Sequence, residues 1–204
     1  LSLLAKQVIN VSLFFEQQQD QLQAYNFPEN LVSSWDWINR NIIKEPKIVS
    51  DSVITSLYLT SYTSARPYLA TGFLSPLTDT KLGNRFLIIN KLFNVSSWVL
   101  TDRMAEYFGE DCSKISCFKD AGINADKSMW YLLSASLGKS KFNLDPREVL
   151  GHYNDMISNW IETGSDYVYY GPWEKQFSSV DLTKDIKLEL VYKNALVEIF
   201  RIKR

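Results

Sequence analysis

The feature that most constrains the fold is a compact strand–helix–strand pattern in the first half of the chain. Residues 47–51 form a short β-like run, residues 53–63 carry apolar side chains at helical spacing, and residues 66–70 resume an extended pattern. A crossover this short places its two strands side by side, parallel and connected in the right-handed sense. The pattern therefore predicts an α/β fold built on a parallel sheet.

The segments around this unit extend the same architecture. Proline, serine and glycine residues at suitable positions to begin or end helices predict helices over 28–45, 80–93, 96–109 and 146–163. The sequence also predicts a further parallel strand over 166–170 and an antiparallel hairpin over 188–199. We therefore predict a three-layer α/β fold with a mainly parallel sheet flanked by helices and a C-terminal antiparallel hairpin. We expect residues 28–204 to form one domain, in which 95–145 is a candidate helical insertion. Residues 1–27 are expected to form an N-terminal or juxtamembrane helical segment.

Composition narrows the class of protein. The chain has 204 residues, of which 46% are hydrophobic, so a single large core can form. The net charge of −1 leaves too little positive charge to neutralise a row of phosphates, which disfavours nucleic-acid binding. No run approaches the ~18 consecutive apolar residues of a spanning helix. The stretch 1–15 fits equally a piece of a longer protein and an ordinary first helix.

Two cysteines stand five positions apart in a polar stretch. Cys112 and Cys117 are the only cysteines, and this spacing suits a disulfide that closes a small surface loop in an oxidising compartment. Two free thiols are the alternative. A metal site is disfavoured because His152 is the only histidine and no second cysteine pair completes a set of four ligands.

Any ligand pocket should lie beyond the carboxyl ends of the parallel strands. The residues to inspect there are 50–52, 71–72 and 171–175. Asp51 stands where a helix begins, so capping the free backbone amides is favoured over ligand binding. No glycine-rich phosphate loop is present, and no cofactor is indicated.

Catalytic machinery is not recognisable in the sequence. There is no Gly-x-Ser-x-Gly elbow, and a nucleophile–histidine pair would depend on His152 alone, within a helix. Asp51, Asp166 and Glu174 supply carboxylates, but the sequence does not define the distances between them. Most tryptophans fall on helix faces and are interpreted as core, whereas Trp173, after the Gly-Pro turn, is the one expected to be exposed. We assign no catalytic residue.

Several short motifs, in this order, resemble a known family. They are Trp37-Ile-Asn-Arg-Asn, Lys47-Ile-Val-Ser-Asp, Ala65-Arg-Pro-Tyr, Asn84-Arg-Phe, Asp166-Tyr-Val-Tyr-Tyr-Gly-Pro-Trp-Glu-Lys and Leu190-Val-Tyr-Lys-Asn-Ala-Leu-Val-Glu-Ile-Phe-Arg-Ile. Together they resemble the C-terminal extracytoplasmic domain of polytopic bacterial and archaeal membrane proteins of the GT-C glycosyltransferase type, including the group named for a YYY signature. The resemblance spans about residues 28–204, and the region 95–145 departs from it.

The resemblance implies a role and a location. The parent protein would transfer a sugar from a lipid-linked donor, with its catalytic acidic residues on loops between membrane helices, outside this chain. This domain would be a non-catalytic accessory at the extracytoplasmic face of the membrane. Its partners would be the transmembrane portion of the same polypeptide and a glycan or lipid-linked sugar.

The resemblance also marks binding candidates. Four residues match recurring family positions: Arg66, Arg85, Gly171 and Glu174. Asp51 and Trp173 are further binding candidates because of their places in the predicted fold. A structural reading is equally good: the arginines bridge helix and sheet, the glycine serves the turn, and the glutamate pairs with one of the arginines.

Two other functions stay open. An independent extracytoplasmic ligand-binding module predicts a signal peptide or lipid anchor upstream and a deep pocket at the strand ends. A self-sufficient hydrolase or transferase predicts turnover by this chain that depends on Asp51 or Glu174.

Overall fold

A computed structural model of the chain describes residues 27–42, 44–69, 79–104 and 146–204. The helices are α1 Glu29–Asn41, α2 Val53–Tyr62, α3 Asp79–Leu92, α4 Ser97–Arg103 and α5 Pro146–Asp155. The strands are β1 Lys47–Val49, β2 Arg66–Pro67, β3 Tyr167–Tyr170, β4 Leu188–Lys193 and β5 Glu198–Ile202. Three short 3-10 turns follow α5 and β3, at Trp160–Thr163, Glu174–Gln176 and Leu182–Lys184.

The five strands form one mixed sheet in the order β2-β1-β3-β5-β4. Strand β1 pairs in parallel with both β2 and β3, so the predicted parallel pairing of these three segments is confirmed. Strand β5 pairs antiparallel with β3 on one side and with β4 on the other. The fold is therefore α/β, with parallel pairing at one side of the sheet and the predicted C-terminal hairpin at the other.

Strand β2 is shorter than the extended pattern suggests. Only Arg66 and Pro67 pair with β1, and Ala70 lies outside the described residues. Proline lacks the N–H that a central strand must donate, so it is tolerated here because β2 is the edge strand.

The helix predicted from Pro146 to the glycine at 164 is two elements. Helix α5 ends at Asp155, and a separate 3-10 turn, Trp160–Thr163, precedes β3. Gly164 therefore ends the 3-10 turn and not the helix that begins at Pro146, and it does so in a left-handed conformation with φ of 59°. Ser96 accepts from the Val99 amide at 3.4 Å, as expected of the cap of α4.

Alternate residues of the central strands enter two different buried clusters. One cluster joins the sheet to α3 and includes Val49, Val168, Tyr170, Phe200, Leu82, Phe86 and Phe93. The other joins the sheet to α1 and α2 and includes Ile48, Tyr169, Ile199, Leu31, Trp35, Ile38 and Leu59. Because successive strand residues point to opposite faces, both faces of the sheet carry buried apolar side chains.

Some predictions fall outside the described residues. They concern the N-terminal segment up to residue 26, the part of the candidate insertion from 105 to 145, and the cysteines Cys112 and Cys117. Within the described ranges, no helix is long and apolar enough to cross a membrane.

Candidate functional site

The carboxyl ends of β1 and β3 lie together because these strands are neighbours in the sheet. Glu174, in the turn after β3, is fully buried between them. Its Oε1 lies 2.6 Å from Ser50 Oγ, and its Oε2 accepts from the Gly171 amide at 2.7 Å. One carboxyl group therefore fastens the turn after β3 to the end of β1.

The hydroxyl group of Ser50 connects the end of β1 both to Glu174 and to the start of α2. Ser50 Oγ accepts from the Ser52 amide at 3.0 Å and lies 3.1 Å from the Ser52 carbonyl oxygen. A hydroxyl carries a single hydrogen, so it cannot donate fully to both that carbonyl and a carboxylate. The shorter of the two contacts, at 2.6 Å, is the one in which Ser50 Oγ donates to Glu174 Oε1.

Burial favours the neutral form of the Glu174 carboxyl group. It raises the pKa of Glu174 above the usual 4.5, and the hydrogen bonds from Ser50 and from backbone amides oppose this rise only in part. The carboxyl group of Glu174 therefore stays neutral up to a higher pH than that of an exposed glutamate.

Asp51, at the same edge, is 1% exposed and faces a buried arginine. Arg103 Nη1 lies 3.5 Å from Asp51 Oδ2, and Arg103 Nη2 donates to the Asp51 carbonyl oxygen at 2.5 Å. The same Nη1 donates to Asn90 Oδ1 at 2.7 Å. The expected capping role is wrong, because Ser52 caps α2 by accepting from the Thr55 amide at 3.1 Å.

Arg103 is the residue of this edge that sequence reasoning missed. Its guanidinium lies between two rings, 4.8 Å from the centroid of Phe86 and 3.9 Å from that of Phe177. An arginine in the last turn of a helix is ordinarily a solvated charge that complements the helix dipole, so nothing local marks it as buried. Its partners come from segments distant in sequence.

The two arginines singled out from the sequence lie elsewhere. Arg85 donates to the Tyr68 carbonyl oxygen at 2.7 Å, with its guanidinium 4.7 Å from the Tyr68 ring, so its role as a bridge between helix and sheet is confirmed. Arg66 lies exposed at the amino end of β2, 3.6 Å from Glu45. The expected pairing of Glu174 with one of these arginines is wrong.

Trp173 is also placed differently from expectation. It is 8% exposed and packs at 5.4 Å against the ring of Tyr58 in α2, because the turn after β3 folds back over that helix. Among the tryptophans of the described ranges, the exposed one is Trp98, at 74%. It lies in α4, and the general interpretation of the tryptophans as core does not hold for it.

Gly171 is required for steric reasons. A Cβ atom at this position would lie 2.9 Å from Tyr169 Cε1 and 3.2 Å from Glu174 Oε2. Both atoms belong to buried side chains with little room to move. The glycine therefore lets the turn approach the carboxyl group that holds it.

Replacing Gly171 with alanine is expected to lower the free energy of unfolding by about 1 to 3 kcal/mol, because the added methyl displaces packed atoms. Gly151 is the matched control. It lies within α5 with nothing within 4 Å of its Cβ position, so alanine there should stabilise the helix by up to about 1 kcal/mol. Urea unfolding of both variants measures the two effects, and equal effects would contradict the steric role of Gly171.

Burial limits the chemistry that the carboxyl groups at this edge of the sheet can perform. A general acid or base must come within hydrogen-bonding reach of its substrate, yet Asp51 and Glu174 have 1% and 0% exposure. Their contacts join β1, β3, α3 and α4 instead. His152, the only histidine, is exposed on α5.

Comparison of the chain with protein-family models, with curated proteins and with solved structures gives no match.

Proposed function

We propose that this chain is a non-catalytic accessory domain of a glycosyltransferase-like membrane protein, acting at the extracytoplasmic face of the membrane. It would help hold an acceptor glycan or a lipid-linked sugar donor, or dock against the membrane portion of the same polypeptide. The short motifs quoted above motivate the parentage. The observation that carries the non-catalytic role is the complete burial of Asp51 and Glu174.

Burial favours this role over a self-sufficient enzyme. Such an enzyme would use Asp51 or Glu174, the carboxylates that follow β1 and β3. Glu174 is occupied by Ser50 and the Gly171 amide, and Asp51 faces Arg103. Exposing either carboxylate to a substrate would require these contacts to open, which disfavours routine catalysis by them.

The finer architecture is part of the same proposal. A three-layer arrangement, with helices on both sides of the sheet, is supported by the two buried clusters that take alternate residues of the central strands. Helix α1 contributes to one cluster and α3 to the other.

The complete open reading frame tests the parentage. We expect several hydrophobic spans, each of about 20 residues, encoded upstream of Leu1. A signal peptide or lipid anchor directly upstream would favour the independent ligand-binding module and would contradict the proposal.

Turnover by the purified chain tests the non-catalytic role. We expect no transfer or hydrolysis with nucleotide-activated sugars, polyprenyl-phosphate sugars or aryl glycosides above the rate of the Glu174→Gln variant. Turnover that is lost in Glu174→Gln or in Asp51→Asn, with both variants folded, would establish the self-sufficient enzyme instead.

A further inference from the structure

An open groove of about 870 Å³ lies at the opposite edge of the sheet, where β1, β2 and β3 begin. The loop before β1, the start of β2, the residue before β3 and the end of β5 contribute to its walls. It is thus separated by the length of the strands from the buried carboxyl groups described above. None of the groove's charged residues takes part in those contacts.

The groove carries a small excess of positive charge. Its charged lining consists of four cations and two carboxylates: Lys44, Arg66, Arg201, Arg204, Glu45 and Asp166. Glu189, which pairs with Arg201 from outside the lining, reduces the excess to one positive charge. In a chain whose net charge is −1, this concentration of cations is local.

Each arginine is oriented by a carboxylate. Arg66 Nε lies 3.6 Å from Glu45, and Arg204 Nη2 lies 2.8 Å from Asp166. Arg201 donates through Nε and Nη2 to one oxygen of Glu189, at 3.1 and 2.6 Å. A guanidinium has five N–H donors, so each keeps donors that these contacts do not use.

The groove also has apolar walls. Ile42, Pro46, Tyr167 and Ile202 contribute to its lining. A ligand that fits both parts has an anionic group joined to an organic body. Planar guanidinium forks match the oxygens of a phosphate group more closely than a single ammonium does.

We propose that this amino-edge groove binds the phosphate or diphosphate group of an organic ligand, chiefly through Arg66 and Arg204. The inference concerns the local charge and shape of this chain and does not depend on the parentage proposed above. The phosphate belongs either to a soluble ester or to a lipid headgroup, and the experiment separates the two sources.

The test uses the full chain and the double variant Arg66→Gln/Arg204→Gln. Both side chains are exposed, at 70% and 66%, so their removal should change the free energy of unfolding by about 1 kcal/mol or less. Lys184→Gln is the matched control, since Lys184 is an exposed cation with an acidic partner outside the groove. Melting curves confirm that all three proteins are folded.

Binding is measured by calorimetry with pyrophosphate, and by co-sedimentation with phosphatidylcholine vesicles that contain or lack phosphatidic acid. The proposal predicts binding to pyrophosphate or to the phosphatidic acid vesicles. The double variant should lose at least about tenfold in affinity, and Lys184→Gln should stay within about twofold of the wild type. Added salt should weaken the binding.

The pattern of binding identifies the source of the phosphate. Binding to pyrophosphate without binding to the phosphatidic acid vesicles indicates a soluble ester, and binding to the phosphatidic acid vesicles indicates a headgroup. Equal affinity in the wild type and the double variant, or no binding to either probe, would overturn the proposal. Failure of the groove to bind would leave the open reading frame and turnover tests unaffected.

Discussion

Replacing Arg103 with methionine is expected to lower the free energy of unfolding by about 3 to 5 kcal/mol, because a carboxylate would stay buried without the guanidinium that faces it. Asp51 has a side-chain exposure of 0%, and its Oδ2 lies 3.5 Å from Arg103 Nη1. Methionine keeps much of the apolar volume between Phe86 and Phe177, so the loss reports chiefly on charge and hydrogen bonding. Urea unfolding at neutral pH measures it.

Two further variants isolate the cause. Arg40→Met removes an exposed arginine that is paired with Asp36 one helical turn away, and it should change stability by about 0.5 kcal/mol or less. The double variant Asp51→Asn/Arg103→Met should be more stable than Arg103→Met alone, since the buried negative charge that faced the guanidinium is gone. The buried ion pair would be refuted if Arg103→Met and Arg40→Met were equally mild.

Replacing Glu174 with alanine is expected to lower the free energy of unfolding by about 2 to 4 kcal/mol, whereas glutamine should be tolerated at neutral pH. Alanine leaves the Gly171 amide without its buried acceptor and opens a cavity. Glutamine keeps an oxygen for that amide, and its NH2 group can donate to Ser50 Oγ while the Ser50 hydroxyl donates to the Ser52 carbonyl oxygen. Equal losses in the two variants would contradict the neutral-carboxyl description of this contact.

The pH dependence follows from the raised pKa of Glu174. The folded chain holds this proton more tightly than the unfolded chain, in which the pKa is near the usual 4.5. The resulting stabilisation is fully present below that pH and is lost as the pH rises through the folded-state pKa. The difference in stability between Glu174→Gln and the wild type should therefore grow in favour of glutamine over this interval. Urea unfolding of both proteins across the acidic and neutral range measures it.

The strand order near the first crossover was predictable because its signals are local. Residues 47–51 and 66–70 flank a helix too short to connect anything but adjacent parallel strands. The hairpin follows in the same way from alternation on two arms around Asn194, whose Oδ1 accepts from the Leu196 and Val197 amides. The position of β5 between β3 and β4 had no local signal, since it depends on packing between distant segments.

The sequence predicted where the candidate site lies but not that its side chains are buried. The rule on strand ends brought Asp51, Gly171 and Glu174 to one edge of the sheet, where the structure has them. Their burial depends on Arg103 and on the turn that carries Trp173 over α2. Residue type and local position indicated a surface tryptophan, a capping aspartate and a glutamate paired with arginine. In the structure each of these side chains makes a different, tertiary contact instead.

The most direct test of the account is a carbon-13 NMR titration of the Glu174 side-chain carboxyl, assigned by comparison with Glu174→Gln. If this carboxyl group is a buried structural contact between β1 and the turn after β3, its midpoint lies above 4.5 and its resonance keeps the shift of a neutral carboxyl where exposed glutamates have already ionised. A midpoint at or below 4.5 would show that burial does not raise the pKa of this carboxyl group and would contradict the account.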